Sequence, residues 1–540
     1  MHENLRFLIV EVNGQLSALQ SFLIQPSAAL GRRILERSGY AENLKARIHN
    51  TSLQELAAGP EEGVNTQALR AIEAITTHLQ HMVEHVREVV RQSQYLSRPK
   101  ALDGTRYQSM LEQLLRGLAL VESAFCERDS NLAMQIGEIE SSLDRDYRRL
   151  LKRYTKQLQR KRRSADLLCL IFIAHYLEQM GDEMLGISEA ILSANLGQVF
   201  NIDRYQQLSA SVAKLGEREG LDDLVVEPIA ETRSGSAIAG IASPERGRQG
   251  FDAIYKDGGK RKLKEERQGV ENWHEIFPGL APRILSYHKR GQSAALLIEH
   301  LAGLTFEQIL LHEPNKLLRQ ALRQLTHTLR SIWRETGTKK RVSADYTGQL
   351  CKRLGDVYAV HPEFRQGGAR VAGLELVAFD RLLERAMAYE QGIQAPFSVY
   401  IHGDFNVDNI IYDPGEQRIN FIDLHRSRYM DYVQDVTVFM VSIYRLQVLD
   451  SQVRRRILGL AVEFCRFARG YARKRGDRTF EIRLALGLAR SFATSPRFIL
   501  DKSLSRAMFL RARYLLEQVL RVDPRAAKRF RVPVEELFVG

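Results

Sequence analysis

Between Val399 and Asp423 the chain carries His402-Gly403-Asp404-Phe405-Asn406-Val407-Asp408-Asn409, followed by Ile419-Asn420-Phe421-Ile422-Asp423. Asn409 follows Asp404 by five residues in one loop, and Asp423 closes a short apolar strand beyond it. An aspartate in such a loop can orient an attacking hydroxyl and accept its proton, while the asparagine offers an oxygen to a divalent ion. A second aspartate at a nearby strand end adds another oxygen ligand. Such a set suits Mg2+, which keeps waters and completes its octahedron from substrate phosphates. These are the requirements of phosphoryl transfer, in which catalysis is mostly positioning and charge neutralisation. A plain Asp/Asn turn would use the same residue types, but it leaves the flanking apolar frame and Asp423 without a reason.

The HGDxxxxN loop with its downstream IxFID strand resembles the aminoglycoside phosphotransferase and choline kinase family. The resemblance implies Asp404 as catalytic base and Asn409 and Asp423 as metal ligands. His402 and Gly403 would shape the loop and Asp435 would brace it. It further implies transfer of a γ-phosphoryl group from ATP, with GTP as the alternative donor, in the presence of Mg2+. The acceptor would be a hydroxyl, with a small metabolite ahead of a protein side chain, and the fold alone does not name it. His425, Arg426 and Arg428 offer cations either to an anionic acceptor or to bracing of the loop. The alternative reading is a catalytically weak pseudokinase serving as a nucleotide-binding scaffold in phosphate signalling.

In such a fold a lysine on the third strand pairs with a glutamate on the next helix. Phe251 to Lys256 alternates apolar and polar residues and ends in lysine. Val270 and Trp273 lie four and seven residues beyond Glu266, which puts Glu266, rather than Glu265, on the buried edge of its helix. Lys256 is expected to neutralise the α- and β-phosphates and Glu266 to hold its ammonium. Ser234-Gly235-Ser236 is small enough for backbone amides to approach phosphate. Leu296 to Gly303 resembles the strand and hinge joining two lobes, with backbone groups near Glu299 and Leu301 placed to bond adenine.

The elements that must hold this chemistry fall into two grammars. From residue 1 to 207 apolar residues recur at helical spacing, as in Leu111, Leu114, Leu118 and Val121, or Leu167, Leu170, Ala174 and Leu177. Thr77 to Glu84 resembles His175 to Asp182 at a shift of about 98 residues, which predicts two three-helix units. Leu177 to Met184 resembles the ERIGDH-type signature of PhoU proteins, helical bundles linked to phosphate transport and signalling. Glu140 and Asp144 fit that family's E/DxxxD spacing, and so do Glu178 and Asp182. A four-residue interval sets two carboxylates on one helix face, where they could share a metal cluster. Gln80 and Glu84 stand at the matching positions of the first repeat, so one of the two expected clusters departs from the pattern.

Beyond Ser209 a polar stretch gives way to short β-rich runs, and helical patterns resume after Lys262, broken by an apolar run at Ala294 to His300 and later by the β-loop segment from Val399 to Asp423. The expectation is a multidomain chain. An all-α PhoU-like helical bundle spans 1–207 and a linker spans 208–223. An α+β bilobal protein-kinase-like fold follows, its N-lobe over 224–300 and its mainly helical C-lobe over 301–540.

At 540 residues the chain exceeds one ordinary core, and its 44% hydrophobic content excludes wholesale disorder. Four cysteines without a CxxC pair argue against a disulfide framework or a cysteine zinc site and fit a reducing cytosol. The apolar run Phe7 to Val10 stops at Glu11, and no later stretch reaches the length of a membrane span, so a cytoplasmic protein is expected. Much of the net charge of +13 gathers between Arg148 and Arg163, read as the solvated end of a long helix. No aromatic stacking motif accompanies it, and nucleic acid is not the expected partner. The expected partners are a small-molecule acceptor and, through the bundle, a protein or a second copy of the chain.

Overall fold

The computed structural model describes residues 2–57, 66–98, 101–159, 164–196, 202, 205–206, 208, 225–231, 237–242, 251–290, 293–365, 367–371, 374–523 and 529–539. The chain divides into two compact units: Met1–Gly258 with Ser286–Leu297, and Gly259–Leu285 with Ile298–Gly540. Lys214 to Gly220 of the expected linker, the expected phosphate loop Ser234-Gly235-Ser236 and the basic run Arg160 to Arg163 lie outside the described residues.

The first unit opens with helices α1 (His2–Ile24), α2 (Ala28–Glu36), α3 (Ser38–Ala57), α4 (Thr66–Gln94), α5 (Gln108–Cys126), α6 (Ser130–Leu158) and α7 (Ser164–Leu196). Pro26 cannot continue α1, and the Ser27 side chain restarts the helix by accepting from Leu30 N at 3.2 Å. Asp129 caps α6 in the same way, accepting from Asn131 N at 2.8 Å and Leu132 N at 3.0 Å. α1, α3 and α4 pack as one group and α5, α6 and α7 as another, with α4 on α7 and α1 on α5 joining them. This is the two-times-three arrangement the internal likeness predicts, with α2 as an addition.

One sequence expectation needs correction. Glu3–Ile24 is long and apolar enough to cross a membrane by length and composition, with half of its most apolar window buried. The buried side is Leu5, Leu8, Val12, Leu16, Leu19 and Leu23, a helical stripe facing the bundle core. Glu11, which interrupts the apolar run in sequence, is itself buried. It holds Gln15 Nε2 at 3.0 Å and Arg37 Nη2 at 2.9 Å.

Strands β1 (Val225–Glu231), β2 (Ala237–Ala242), β3 (Ala253–Gly259), β4 (Ile284–Arg290) and β5 (Ser293–Glu299) form a sheet in the order β1-β2-β3-β5-β4. β2 and β3 run antiparallel with Ile238 opposite Lys256. Within the first unit Ala239, Ile241, Ala253, Tyr255, Ala295 and Leu297 belong to one buried apolar cluster with the helices. β4 occupies a stretch read from sequence as helical; Pro278, Gly279 (φ +83°) and Pro282 end the preceding helix before it.

The second unit contains α8 (Lys260–Ile276), α9 (Phe306–His312), α10 (Asn315–Glu335), α11 (Tyr346–Val360), α12 (Phe379–Glu390), α13 (Val433–Tyr444), α14 (Ser451–Lys474), α15 (Phe480–Thr494), α16 (Lys502–Leu520) and α17 (Val534–Leu537). Its short strands are β6 (Leu304–Thr305), β7 (Ala369–Val371), β8 (Leu374–Leu376), β9 (Val399–Ile401), β10 (Ile410–Asp413), β11 (Arg418–Phe421) and β12 (Arg428–Met430). They pair as β11-β10-β6, β12-β9 and β7-β8, the last a hairpin that the helical reading of this region did not anticipate. Phe306, Phe405, Phe421, Phe439, Trp273 and Trp333 are fully buried and build the core beneath the β9–β12 segment.

Candidate active site

β9 delivers the chain into the loop His402–Asn406, a short 3-10 turn (Val407–Asn409) follows, and β10 and β11 form a hairpin that ends at Asp423. Two side chains tie these pieces together. His402 accepts from Asp404 N at its Nδ1 (3.3 Å) and donates from Nε2 to Ile422 O (2.9 Å), so one ring holds both aspartate-bearing segments. Burial depresses its pKa, in keeping with a neutral imidazole that uses one nitrogen as donor and the other as acceptor. Asn409 donates from Nδ2 to Asp404 O at 2.9 Å, and its own carbonyl accepts from Ile422 N at 3.1 Å. The side-chain Oδ1 of Asn409 is thereby turned away from its own amide bond, while Asp423, one residue past Ile422, sits in the left-handed region at φ +61°. These bonds bring the segments that carry Asp404, Asn409 and Asp423 together at one edge of the hairpin.

Asp435, on α13, braces the loop from below. Its Oδ2 accepts from His402 N at 2.8 Å and its Oδ1 from Gly403 N at 2.9 Å. Burial pushes this carboxyl up to about 7, against the two amide bonds that favour the carboxylate. Gly403 has φ +85°, and a Cβ there would lie 2.3 Å from Arg426 O. Gly403→Ala is therefore expected to combine backbone strain of about 1–3 kcal/mol with a displaced loop. The melting temperature should fall in thermal unfolding, and an unchanged one would show that the loop tolerates the shift.

Asp404 Oδ1 accepts from Asn406 Nδ2 at 3.1 Å, and Oδ2 pairs with Arg426 Nη1 at 3.2 Å. Arg445 Nη2 in turn donates to Asn406 Oδ1 at 3.3 Å. Asp423 Oδ1 lies 3.2 Å from His425 Nδ1. Cations collect around Asp404. Burial lowers Arg490 to about 10, with repulsion from Arg353 and Arg426 adding to it, and burial together with Arg353 and Arg426 does the same to Arg497. Burial and Arg426 also lower Arg353. These arginines come from α11, α15 and the turn Ser495–Phe498. Among the described residues, Nε and Nη2 of the buried Arg490 have no hydrogen-bond partner. Sequence reasoning named Arg426 alone of this set.

The start of α13 is fixed by a buried charge network. Arg483 on α15 bonds Asp431 and Asp477, all three nearly inaccessible. Tyr346 Oη donates to Asp431 Oδ2 at 3.0 Å and Tyr432 Oη to Asp477 Oδ2 at 2.7 Å. Val433 N caps on Asp431 Oδ1 at 3.0 Å, two residues before Asp435.

Of the other residues singled out from sequence, Glu266 is buried on α8 while Glu265 is exposed, the orientation read from Val270 and Trp273. Gly269, on the same helix, lets Leu424 O approach to where a Cβ would meet it at 2.1 Å. Lys256 is buried on β3 in the first unit. Glu299 N donates to Arg283 O at 2.9 Å and its carboxylate holds Arg283 Nε at 3.1 Å, so its N–H is already engaged and is not available to adenine. Leu301 follows β5 and is buried.

In the bundle, Asp144 pairs with Arg148 at 2.7 Å, Glu178 lies 3.2 Å from His175 Nδ1, and Asp182 accepts from Gln179 at 2.9 Å. Burial, then Glu178 and Glu140, raise the Asp182 pKa. Among the described residues the three-ligand group whose atoms lie within 4.8 Å of one another is elsewhere: His78, His81 and Glu183. The sequence signal for it was present in His78, His81 and His85, spaced along one face of α4, but the partner on α7 is far along the chain.

The family model described as the phosphotransferase enzyme family matches residues 269–476, and that of the PhoU domain matches residues 107–191. Among solved structures, the chain is similar to PhoU from Pseudomonas aeruginosa at 17% identity over 36% of this chain and 93% of that one, with a TM-score of 0.33. It is similar to an aminoglycoside-3'-phosphotransferase of type VIII at 17% identity over 54% of this chain and 98% of that one, with a TM-score of 0.36. It is also similar to an ethanolamine kinase from Plasmodium vivax at 13% identity over 63% of this chain and 94% of that one, with a TM-score of 0.33. No curated protein matches the chain.

Proposed function

From a chain that fuses an N-terminal PhoU-like domain to a C-terminal kinase-like domain, we propose an ATP- and Mg2+-dependent phosphotransferase that acts on a hydroxyl of a small anionic metabolite, with the bundle as its regulatory or docking domain in phosphate signalling. The observation that carries the reading is the single loop in which His402 cross-links the Asp404 segment to the Asp423 segment while the Asn409 carbonyl accepts from Ile422 N across the same gap.

In this reading the oxygens of Asn409 and Asp423 would hold Mg2+, a hard-ligand set that suits it, and the bond from the Asn409 amide nitrogen to Asp404 O supports leaving Oδ1 for the ion. When bound, Mg–ATP supplies the transferable phosphoryl group and the charge neutralisation. The Asp404 carboxylate receives the hydroxyl proton in this scheme, with Asn406 orienting Oδ1 and Arg426 paired to Oδ2. Asp435 and Gly403 hold the loop at that geometry.

Arg490 supports an anionic acceptor, because a buried guanidinium with unpartnered N–H groups gains most from a carboxylate or phosphate, and Arg353, Arg426 and Arg497 add positive charge around it. Arg490→Met is expected to raise KM for the acceptor by roughly 10- to 100-fold, the loss of a charge-assisted bond. KM for ATP should change little, and the melting temperature should shift only by the loss of the guanidinium contact with the Tyr346 ring, since no protein hydrogen bond to Nε or Nη2 is removed. A variant that unfolds early with an unaltered acceptor KM would make Arg490 structural.

The direct experiment is a screen of phosphorylated and carboxylated alcohols against neutral ones, with the full chain, Mg2+ and either ATP or GTP, and Asp404→Asn as the blank. Wild-type transfer to an anionic alcohol, absent from the blank, is the expected result. Nucleotide binding with no acceptor turned over anywhere in the screen would favour the scaffold reading instead.

A further inference from the structure

The bundle contains a constellation that the phosphotransferase chemistry does not use. His78, His81 and His85 lie on one face of α4, and Glu183 faces them from α7. Glu183 Oε2 is 2.6 Å from His78 Nδ1, and its Oε1 is 3.3 Å from His81 Nδ1 and 3.6 Å from His85 Nε2. The His78 and His81 rings stand edge to face with centroids 6.5 Å apart, and the His85 ring lies beside Tyr176 at 6.0 Å. Under the 98-residue shift His85 and Glu183 occupy equivalent positions, so the group sits where the two three-helix units meet through their matching helices.

We propose that His78, His81, His85 and Glu183 form a binding site for one divalent first-row transition ion, with Zn2+ as its simplest occupant. Three imidazoles and a single carboxylate are a borderline-soft set that suits such ions, unlike the all-oxygen set expected of Mg2+ or Ca2+. Zinc–ligand bonds of about 2.0–2.1 Å place tetrahedral ligands ~3.3 Å apart. The separations from the Glu183 oxygens bracket that spacing, and the ligand atoms of His78, His81 and Glu183 lie within 4.8 Å of one another, so these three close on an ion by ring rotation and His85 swings in as the fourth.

A second observation points the same way. Gly186 lies one turn beyond Glu183 on α7, and a Cβ there would meet the His78 ring at 2.3 Å from Cε1 and 2.5 Å from Nε2. The missing side chain is what lets the His78 imidazole lie against α7 beside the carboxylate. The site differs in residues and chemistry from the Glu140, Asp144, Glu178 and Asp182 carboxylates read from sequence. Its consequence is mechanical: an ion held there clamps α4 to α7, and so one half of the bundle to the other.

The test uses the metal-free full-length chain titrated with Zn2+ against a chromophoric chelator, with Co2+ as spectroscopic probe and thermal unfolding as a second readout. Wild type should bind one Zn2+, give visible tetrahedral Co2+ bands, and unfold at a higher temperature with Zn2+ present. His81→Ala, at a half-exposed position, and Glu183→Gln should lose the bands and the thermal shift. Gly186→Ala keeps every ligand and should weaken Zn2+ by about 10- to 100-fold through ligand misplacement. Glu178→Gln with Asp182→Asn should leave binding unchanged. Absence of stoichiometric binding, binding indifferent to His81→Ala, or binding lost in the Glu178/Asp182 variant would each overturn the site.

Discussion

Asp404→Asn should transfer phosphate about 10²–10⁴ times more slowly than wild type, the usual contribution of a positioned general base. The substitution is close to isosteric, and the rest of the loop is held by bonds that do not involve the Asp404 carboxylate. His402 reaches the Asp404 backbone amide and Ile422 O, and Asn409 reaches the Asp404 carbonyl. Asn406 can still donate to the retained carbonyl oxygen, so the main loss is the basic oxygen itself, together with the Arg426 pair. That pair is solvent-exposed on the arginine side and contributes little to stability. The signature is therefore a fall in kcat with KM for ATP and the melting temperature nearly unchanged. Steady-state kinetics with the acceptor found by the screen give the answer. A variant with wild-type kcat would remove Asp404 from catalysis and leave the loop a structural turn.

The second large effect is on stability. Arg483→Met removes the one cation that Asp431 and Asp477 share while leaving both carboxylates buried. Breaking such a group from one side typically costs about 3–5 kcal/mol, because an uncompensated charge stays in the interior. Tyr346, Tyr432 and the Val433 amide each keep one bond to these carboxylates, which softens the loss without replacing the charge. Urea unfolding of the full chain should show the transition of the second unit moved to a markedly lower midpoint. The expected companion effect is reduced activity well below the unfolding midpoint, since Asp431 starts the helix from which Asp435 holds His402 and Gly403. A midpoint within experimental error of wild type would mean that the Arg483 ion pairs contribute nothing to stability.

Much of the candidate site is legible in sequence because its parts are close along the chain. The spacing of His402, Gly403, Asp404 and Asn409 spells one loop, and the apolar strand ending in Asp423 returns beside it within a short hairpin. Glu266 is equally local, since Val270 and Trp273 on its own helix define the buried edge. The arginines around Asp404 are different. Arg353, Arg490 and Arg497 come from separate helices and a turn, each in a stretch whose local pattern reads as an ordinary amphipathic or apolar segment. Arg490 lies within a helix buried along its whole length, where nothing in the neighbouring residues announces a guanidinium without partners.

Glu11 and β4 fail for the same reason in the opposite direction. A charge read as breaking an apolar run is absorbed by Gln15 and Arg37, the latter on the segment after α2. A stretch read as helix becomes a strand because a sheet neighbour pairs with it. The amino-acid order alone determined the two helical repeats, the loop from His402 to Asn409 and the proximity of the strand ending in Asp423, since each depends on periodicity or on spacing within a few turns of chain. Only the tertiary structure decided which cations surround Asp404, which acids share Arg483, and that three histidines of one helix meet a glutamate of another. Those outcomes depend on distances between segments remote in sequence, and electrostatic and coordination energies are set by such distances rather than by residue order.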